Sequence, residues 1–248
     1  MLLLLRKVRK KLMKENKVTT YLLYAIGEIV LVVIGILIAV SLNNWNQANK
    51  AASGQRILLE EVLEALKQDS IASEQTMVTT ENIYNLYQKL HHVRLGKIPG
   101  DSLNNLQGLR RSNNRIIISI LNYPDLATRV ADQALKTKVQ AYYGIVRNWQ
   151  FVQANYNDFI ENNMRAKLRE HQLLSYGYFY QKPYEQNHLF TNDMINRDRL
   201  IEKLEDEDLQ QIFFEGVVKT RNFRGFISPL REARAELQNE IYRVLQSL

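Results

Sequence analysis

YLLYAIGEIVLVVIGILIAVSL, residues 21–42, is an apolar run whose only charge is Glu28. At about 1.5 Å of rise per residue, a helix of this length covers roughly 33 Å, against a hydrocarbon thickness of ~30 Å. The stretch is long enough to cross a bilayer, and it organises the expectations for everything else. Residues 1–20 read as a basic cytoplasmic tail, 21–42 as the transmembrane helix, 43–54 as a juxtamembrane linker and 55–248 as a water-facing helical domain. The expected fold class is all-α, with an N-terminal single transmembrane helix followed by an elongated helical bundle.

The flanks orient the span. Arg6, Lys7, Arg9, Lys10, Lys11, Lys14 and Lys17 precede it against one acid, Glu15, whereas NNWNQANK at 43–50 carries one lysine. Positive charge resists translocation, so the N-terminus is expected to stay inside. Tyr21 and Tyr24 at one end and Trp45 beyond the other suit the two headgroup layers. A cleaved signal peptide is the rival reading, because Ala39-Val40-Ser41 is a small-x-small site after an apolar run. The long basic region, and an apolar stretch beyond the ~7–15 residues of a signal core, favour an anchor.

Six of the seven net positive charges lie in residues 1–20, so the rest of the chain is close to neutral and nucleic acid is not an expected partner. The seven basic residues of the tail are expected to contact anionic lipid, each worth about 1 kcal/mol near the surface. Leu2–Leu5, Val8, Leu12 and Met13 are interleaved with them, the pattern of an amphipathic helix lying on a membrane. The chain has no cysteine, which excludes disulfides, thiolate metal sites and a cysteine nucleophile.

A charge inside a bilayer costs several kcal/mol unless it snorkels, protonates or finds a partner, so Glu28 needs a reason. Tyr24, Glu28 and Gly35 share one helical face, and Gly27, Leu31, Gly35 and Ala39 run beside them at four-residue spacing. Small residues in such a row let two helices approach closely. These six residues form a candidate face for self-association or docking, with Glu28 as its hydrogen-bonding group. The alternative is an interfacial glutamate solvated near the cytoplasmic end.

Beyond the membrane the periodicity is helical. Leu58, Val62, Ala65, Ala72, Thr76, Ile83, Leu86 and Leu90 recur at mostly three- and four-residue steps, with Asp69 on the same stripe. Gly96-Lys-Ile-Pro-Gly100 reads as a turn. Arg110, Arg111 and Arg115 cluster before a strand-like Ile-Ile-Ile; a short helix and a loop are expected there. Those arginines either hold an anion or anionic lipid, or form a solvated loop with one pair to the acidic stretch at 202–208. Leu126 to about Leu174 reads as one long helix or two end to end. Its stripe of Val139, Tyr142, Val146, Trp149, Tyr156, Ile160 and Met164 is a bundle core rather than a cofactor box. Glu202, Glu205, Asp206, Glu207 and Asp208 precede another helical pattern and complement its macrodipole without any metal. Ser228-Pro229 is the expected start of the last helix, with Leu230, Ala233, Leu237, Ile241, Val244 and Leu248 facing the core.

Between these helices, residues 175–197 hold Tyr176, Tyr178, Phe179, Tyr180, Tyr184 and Phe190 with no clear period. Long loops rich in aromatics are functional or cover something, so these six are candidate recognition residues, or else a flap over the bundle end.

Glu-Asn-Lys at 15–17 and YLLYAIGEIVLVVIGILIAVSLNNWN at 21–46 resemble a family of uncharacterised single-pass membrane proteins common in Bacteroidota. Its members share a basic N-terminus, this span with its Gly-Glu pair, an Asn-Asn-Trp-Asn exit and a divergent helical remainder. Val40-Ser41-Leu42 stands where the family pattern has Leu-Gln-Ile. The resemblance implies an inner-membrane setting with the domain at 55–248 in the periplasm, and no catalytic residue.

No hydrolase elbow, phosphate loop, dinucleotide turn or zinc helix motif is present, and four histidines make no constellation. The expectation is a non-enzyme without cofactor, metal or catalytic residues. It would act as an interaction or scaffold protein of the cell envelope, with membrane lipids and a second copy or another envelope protein as partners. A periplasmic ligand sensor relaying through a cytoplasmic partner is the alternative, and a hydrolase using the acid cluster is a remote third.

Overall fold

The structure, a computed structural model, describes residues 18–175 and 194–248. The seven tail cations and all six aromatics of the candidate recognition loop lie outside the described residues. Among the described residues the regular structure is helical, with one isolated antiparallel bridge between Leu174 and Ile195. The all-α expectation holds there. The chain divides into two compact units, one reaching Ile57 and the other spanning Leu58–Ser247.

Helix α1 (Val18–Arg94) begins in the first unit, and residues 43–54 are helical within it. From Leu22 to Leu42 the large apolar side chains point into open space, Leu31 being 72% exposed. An 18-residue window here has a mean hydropathy of 2.7 with none of it buried, by composition enough to cross a membrane.

In the second unit α1 contributes Leu58, Val62, Ala65, Ile83, Leu86 and Leu90 to the core, as their spacing predicts. It stops at Gly96, whose φ of +66° favours a residue without Cβ. Gly96 N–H donates to the Val93 carbonyl and Lys97 N–H to the His92 carbonyl, which closes the last turn. The other long helices are α4 (Gln133–Asp158), α7 (Glu207–Gly225) and α8 (Ile227–Ser247). Ion pairs Arg243–Asp132 and Lys138–Glu236 fix α8 antiparallel to α4. Arg231–Glu74, Arg224–Glu81 and Arg94–Glu205 run α7 and α8 antiparallel to α1. Between them Trp149, Tyr156 and Phe223 are buried, the Tyr156 and Phe223 rings stacked at 5.5 Å.

The region from Leu126 departs from the expected single or paired long helix. A four-residue helix α3 (Leu126–Arg129) ends at Val130, and α4 starts only after Asp132, whose carboxylate caps it by accepting from Leu135 N–H at 2.8 Å. An aspartate with a partner for the orphan amides of a helix start makes a new N-terminus there. After α4 the backbone passes through a π-turn (Phe159–Met164) into α5 (Arg165–Glu170). Helix α6 (Arg197–Glu202) follows the bridge, capped by Asn196. Helix α8 starts one residue before Ser228, and the Ser228 hydroxyl instead donates to Glu232 at 2.9 Å. Leu248 is exposed rather than part of the sealing stripe.

The strand-like stretch is not a strand, because α4 satisfies its backbone. The Gln153 amide donates to the carbonyls of Asn113 and Arg115, both at 2.9 Å, and the Tyr156 hydroxyl to that of Arg111. Asn157 exchanges two bonds with Asn113, accepting its N–H and donating to its carbonyl, both at 2.7 Å. Buried backbone groups need partners, and here side chains supply them in place of a ladder. Helix α2 (Ile118–Asn122) follows directly.

Candidate functional site

The first candidate is the apolar face of α1. Gly27, Glu28, Leu31, Gly35 and Ala39 are exposed, while for Tyr24 only the helical backbone is described. A Cβ built on Gly27 or Gly35 meets nothing within 4 Å, so no contact among the described residues explains either glycine.

Acids at the start of α7 form a second cluster. Asp206 caps α7 by accepting from Asp208 N–H at 3.0 Å and Leu209 N–H at 3.3 Å. Asp208 accepts from Lys167 at 2.9 Å and lies 3.1 Å from His171 Nε2, while His171 Nδ1 is 3.6 Å from Asp206. The donor atoms of His171, Asp206 and Asp208 are close enough to share a cation. Both ring nitrogens already face carboxylates and a lysine occupies Asp208, however, which is the arrangement of a cap and ion-pair cluster. The Lys167 hydrogen bond, with His171 adding, holds the Asp208 carboxyl below its usual range. His91 and His92 are both exposed at the end of α1.

The third candidate is a cavity of about 600 Å³ beside the 3-10 turn Leu106–Arg110. Gly108 lets that turn lie on α1, since a Cβ there would stand 3.1 Å from Leu86 Cδ2. Arg110, Arg111 and Arg165 all line the cavity, and among the described residues its wall includes no acidic residue. Contrary to expectation, Arg110, Arg111 and Arg115 make no ion pair with the acidic stretch at 202–208 among the described residues. Arg94 makes the pair to Glu205, at 3.6 Å. Arg110 is half-buried; among the described residues its Nη1 meets the Met194 sulfur at 3.6 Å and its Nε is buried without an acceptor. Burial first, and the neighbouring Arg165 second, lower its pKa. Arg165 donates through Nε and Nη2 to the Arg110 carbonyl and through Nη2 to Ser112 Oγ. Ser112 donates in turn to the exposed Glu161 at 2.8 Å. Gln107 lines the same cavity and its amide nitrogen is also buried without an acceptor. Arg115 is exposed and does not line it.

The periodicity did not single out Gln107, Ser112 or Arg165. A weaker signal was present: no acid occurs between Asp101 and Asp125, a stretch that holds three arginines.

Residues 28–97 match a family of unknown function (DUF6090). The match covers the Glu28 face onward and the rest of α1, and stops at the turn that ends it. No curated protein and no solved structure matches the chain.

Proposed function

We propose that the protein is a single-pass, membrane-anchored helical protein with a non-enzymatic interaction or scaffold role in the cell envelope. The observation that carries the reading is the run from Leu22 to Leu42, apolar but for Glu28 and exposed from Ile26 onward. An apolar surface of that extent is costly in water and needs lipid or a partner to cover it. The asymmetry of basic residues supports a cytoplasmic N-terminus. The resemblance of residues 21–46 to single-pass proteins of Bacteroidota supports an inner-membrane setting with Leu58–Ser247 in the periplasm. Gly27, Gly35 and Ala39 allow close approach of a second helix, a second copy or another envelope protein, with Glu28 hydrogen-bonded across the contact. Affinity capture from native membranes, with native molecular weight, tests this. A discrete complex that Glu28→Leu disrupts is expected; a monomer in both proteins refutes the docking face.

A ligand-sensing role is the second reading, favoured by the arginine-lined cavity. Such a sensor would relay through a cytoplasmic partner.

A further inference from the structure

Among the described residues, three guanidinium groups and the Gln107 amide share a cavity whose wall offers no carboxylate, alongside three asparagines. A half-buried arginine beside a like charge is costly to keep without a counter-ion. Two buried N–H donors on residues that line it, Arg110 Nε and Gln107 Nε2, have no acceptor among the described residues. Of the eight buried polar atoms without a partner among the described residues, these two belong to one arginine-lined cavity, where an acceptor from outside would satisfy them. Arg165 is set in place by the Arg110 carbonyl and Ser112 Oγ, which bind Nε and Nη2; among the described residues Nη1 has no partner. Such a fork is oriented before any ligand arrives, which reduces the entropy lost on binding.

We propose that this cavity binds a small phosphate-bearing anion, with Arg110, Arg165 and Gln107 as its principal donors. One carboxylate is saturated by a single arginine fork, whereas a phosphate presents more oxygens and accepts from several directions at once. Arg111 adds a third positive charge at the exposed rim. The volume, about 600 Å³, lies in the range of small-molecule sites. Ile83 and Met194 give the organic part of the ligand an apolar wall. Glu161, bonded to the wall residue Ser112, is exposed. This binding goes beyond the anchoring role and stands or falls independently of any docking through Glu28.

The test uses the full chain in non-ionic detergent and phosphate-free buffer, with melting followed by fluorescence of the buried Trp149. Inorganic phosphate, glycerol 3-phosphate, succinate, and mixed micelles of phosphatidylglycerol or phosphatidylcholine are added in turn. Glycerol 3-phosphate at a hundredfold excess over its Kd is expected to raise Tm by about 5–10 °C. Arg110→Met is expected to melt no lower than the parent without ligand, since an unpaired desolvated charge is removed, and to lose the shift. Gln107→Leu removes only an orphan donor and is expected to weaken Kd about tenfold, so it carries the test if Arg110→Met does not fold. A shift with phosphatidylglycerol alone, abolished in the variants, supports the site and makes its source a lipid headgroup. No shift with any phosphate compound, an equal response to succinate, or unchanged shifts in both variants overturns the proposal.

Discussion

Asp69 lies on the core face of α1, 1% exposed, and replacing it by alanine is expected to be among the most damaging single changes in the chain. Its Oδ1 accepts from Ile118 N–H at 2.5 Å, both oxygens lie 3.3 Å from Ser119 N–H, and Oδ2 accepts from the Tyr142 hydroxyl at 2.9 Å. The carboxylate therefore ties α1, the start of α2 and the middle of α4 together. Arg234 lies close enough to interact with both Asp69 and Tyr142, and donates to Ser73 at 3.0 Å, four residues along α1. Alanine leaves two backbone donors and a phenol unsatisfied in the core, at about 1–3 kcal/mol each. Removing the carboxylate also relieves its own desolvation, so the net loss is expected at about 3–5 kcal/mol. That is a large part of a domain stability of ~5–15 kcal/mol. Tyr142→Phe removes a single donor to a charged acceptor and is expected to cost about 1.5–3 kcal/mol. The double variant should fall short of the sum by about 1–2 kcal/mol, because the orphaned phenol no longer exists. Guanidinium unfolding read by Trp149 emission, in a Trp45→Phe background, measures all four corners of the cycle. A loss below about 1 kcal/mol for Asp69→Ala, or additivity within ~0.5 kcal/mol, refutes the reasoning.

Two helical glycines are expected to respond oppositely to alanine in the same unfolding assay. Gly144 in α4 has open space at its Cβ position, so Gly144→Ala should stabilise by about 0.8–1 kcal/mol, whereas Gly216 in α7 packs on the buried Tyr87 ring and Gly216→Ala should destabilise by about 1–3 kcal/mol. Asp208 is held below its usual pKa, so its contribution to stability is present above the unfolded value near ~3.9 and lost as pH falls through the lower folded value. Tm measured from pH 6 down to pH 2 should therefore fall less steeply for Asp208→Asn than for the parent below pH ~4.

Periodicity made the long helices legible, because each buries one stripe of apolar residues. Tyr142, Trp149 and Tyr156 on α4, and Leu230, Leu237 and Ile241 on α8, all lie in the core where three- and four-residue spacing puts them. Asp69 broke the apolar stripe of α1 without weakening it, since its partners come from residues 49 to 73 positions away. No local pattern could announce that. The break before α4 depended on Asp132 finding its cap, and the fate of Arg115-Ile-Ile-Ile on amides of α4 reaching across. The arginine cavity was half legible. Arg110 and Arg111 stand together in an acid-free stretch, but Arg165 arrives from 54 or more residues further on, after the π-turn. Which charges meet is decided by tertiary packing, and spacing along the chain does not encode it.

The extended segment before α2 carries a consequence for the unfolded chain. Ile116, Ile117 and Ile118 are a β-branched, uncharged triplet of the kind that seeds cross-β stacking when freed. In the native fold Ile117 is fully buried and the carbonyls of Asn113 and Arg115 are occupied by Gln153, which leaves them unavailable to a strand from another chain. The amide side chains of α4 thus serve as a built-in guard against aggregation, and Arg115 flanks the triplet as a charged gatekeeper. Any change that peels α4 away releases sticky backbone as well as core, so the protein's solubility is tied to one face of one helix.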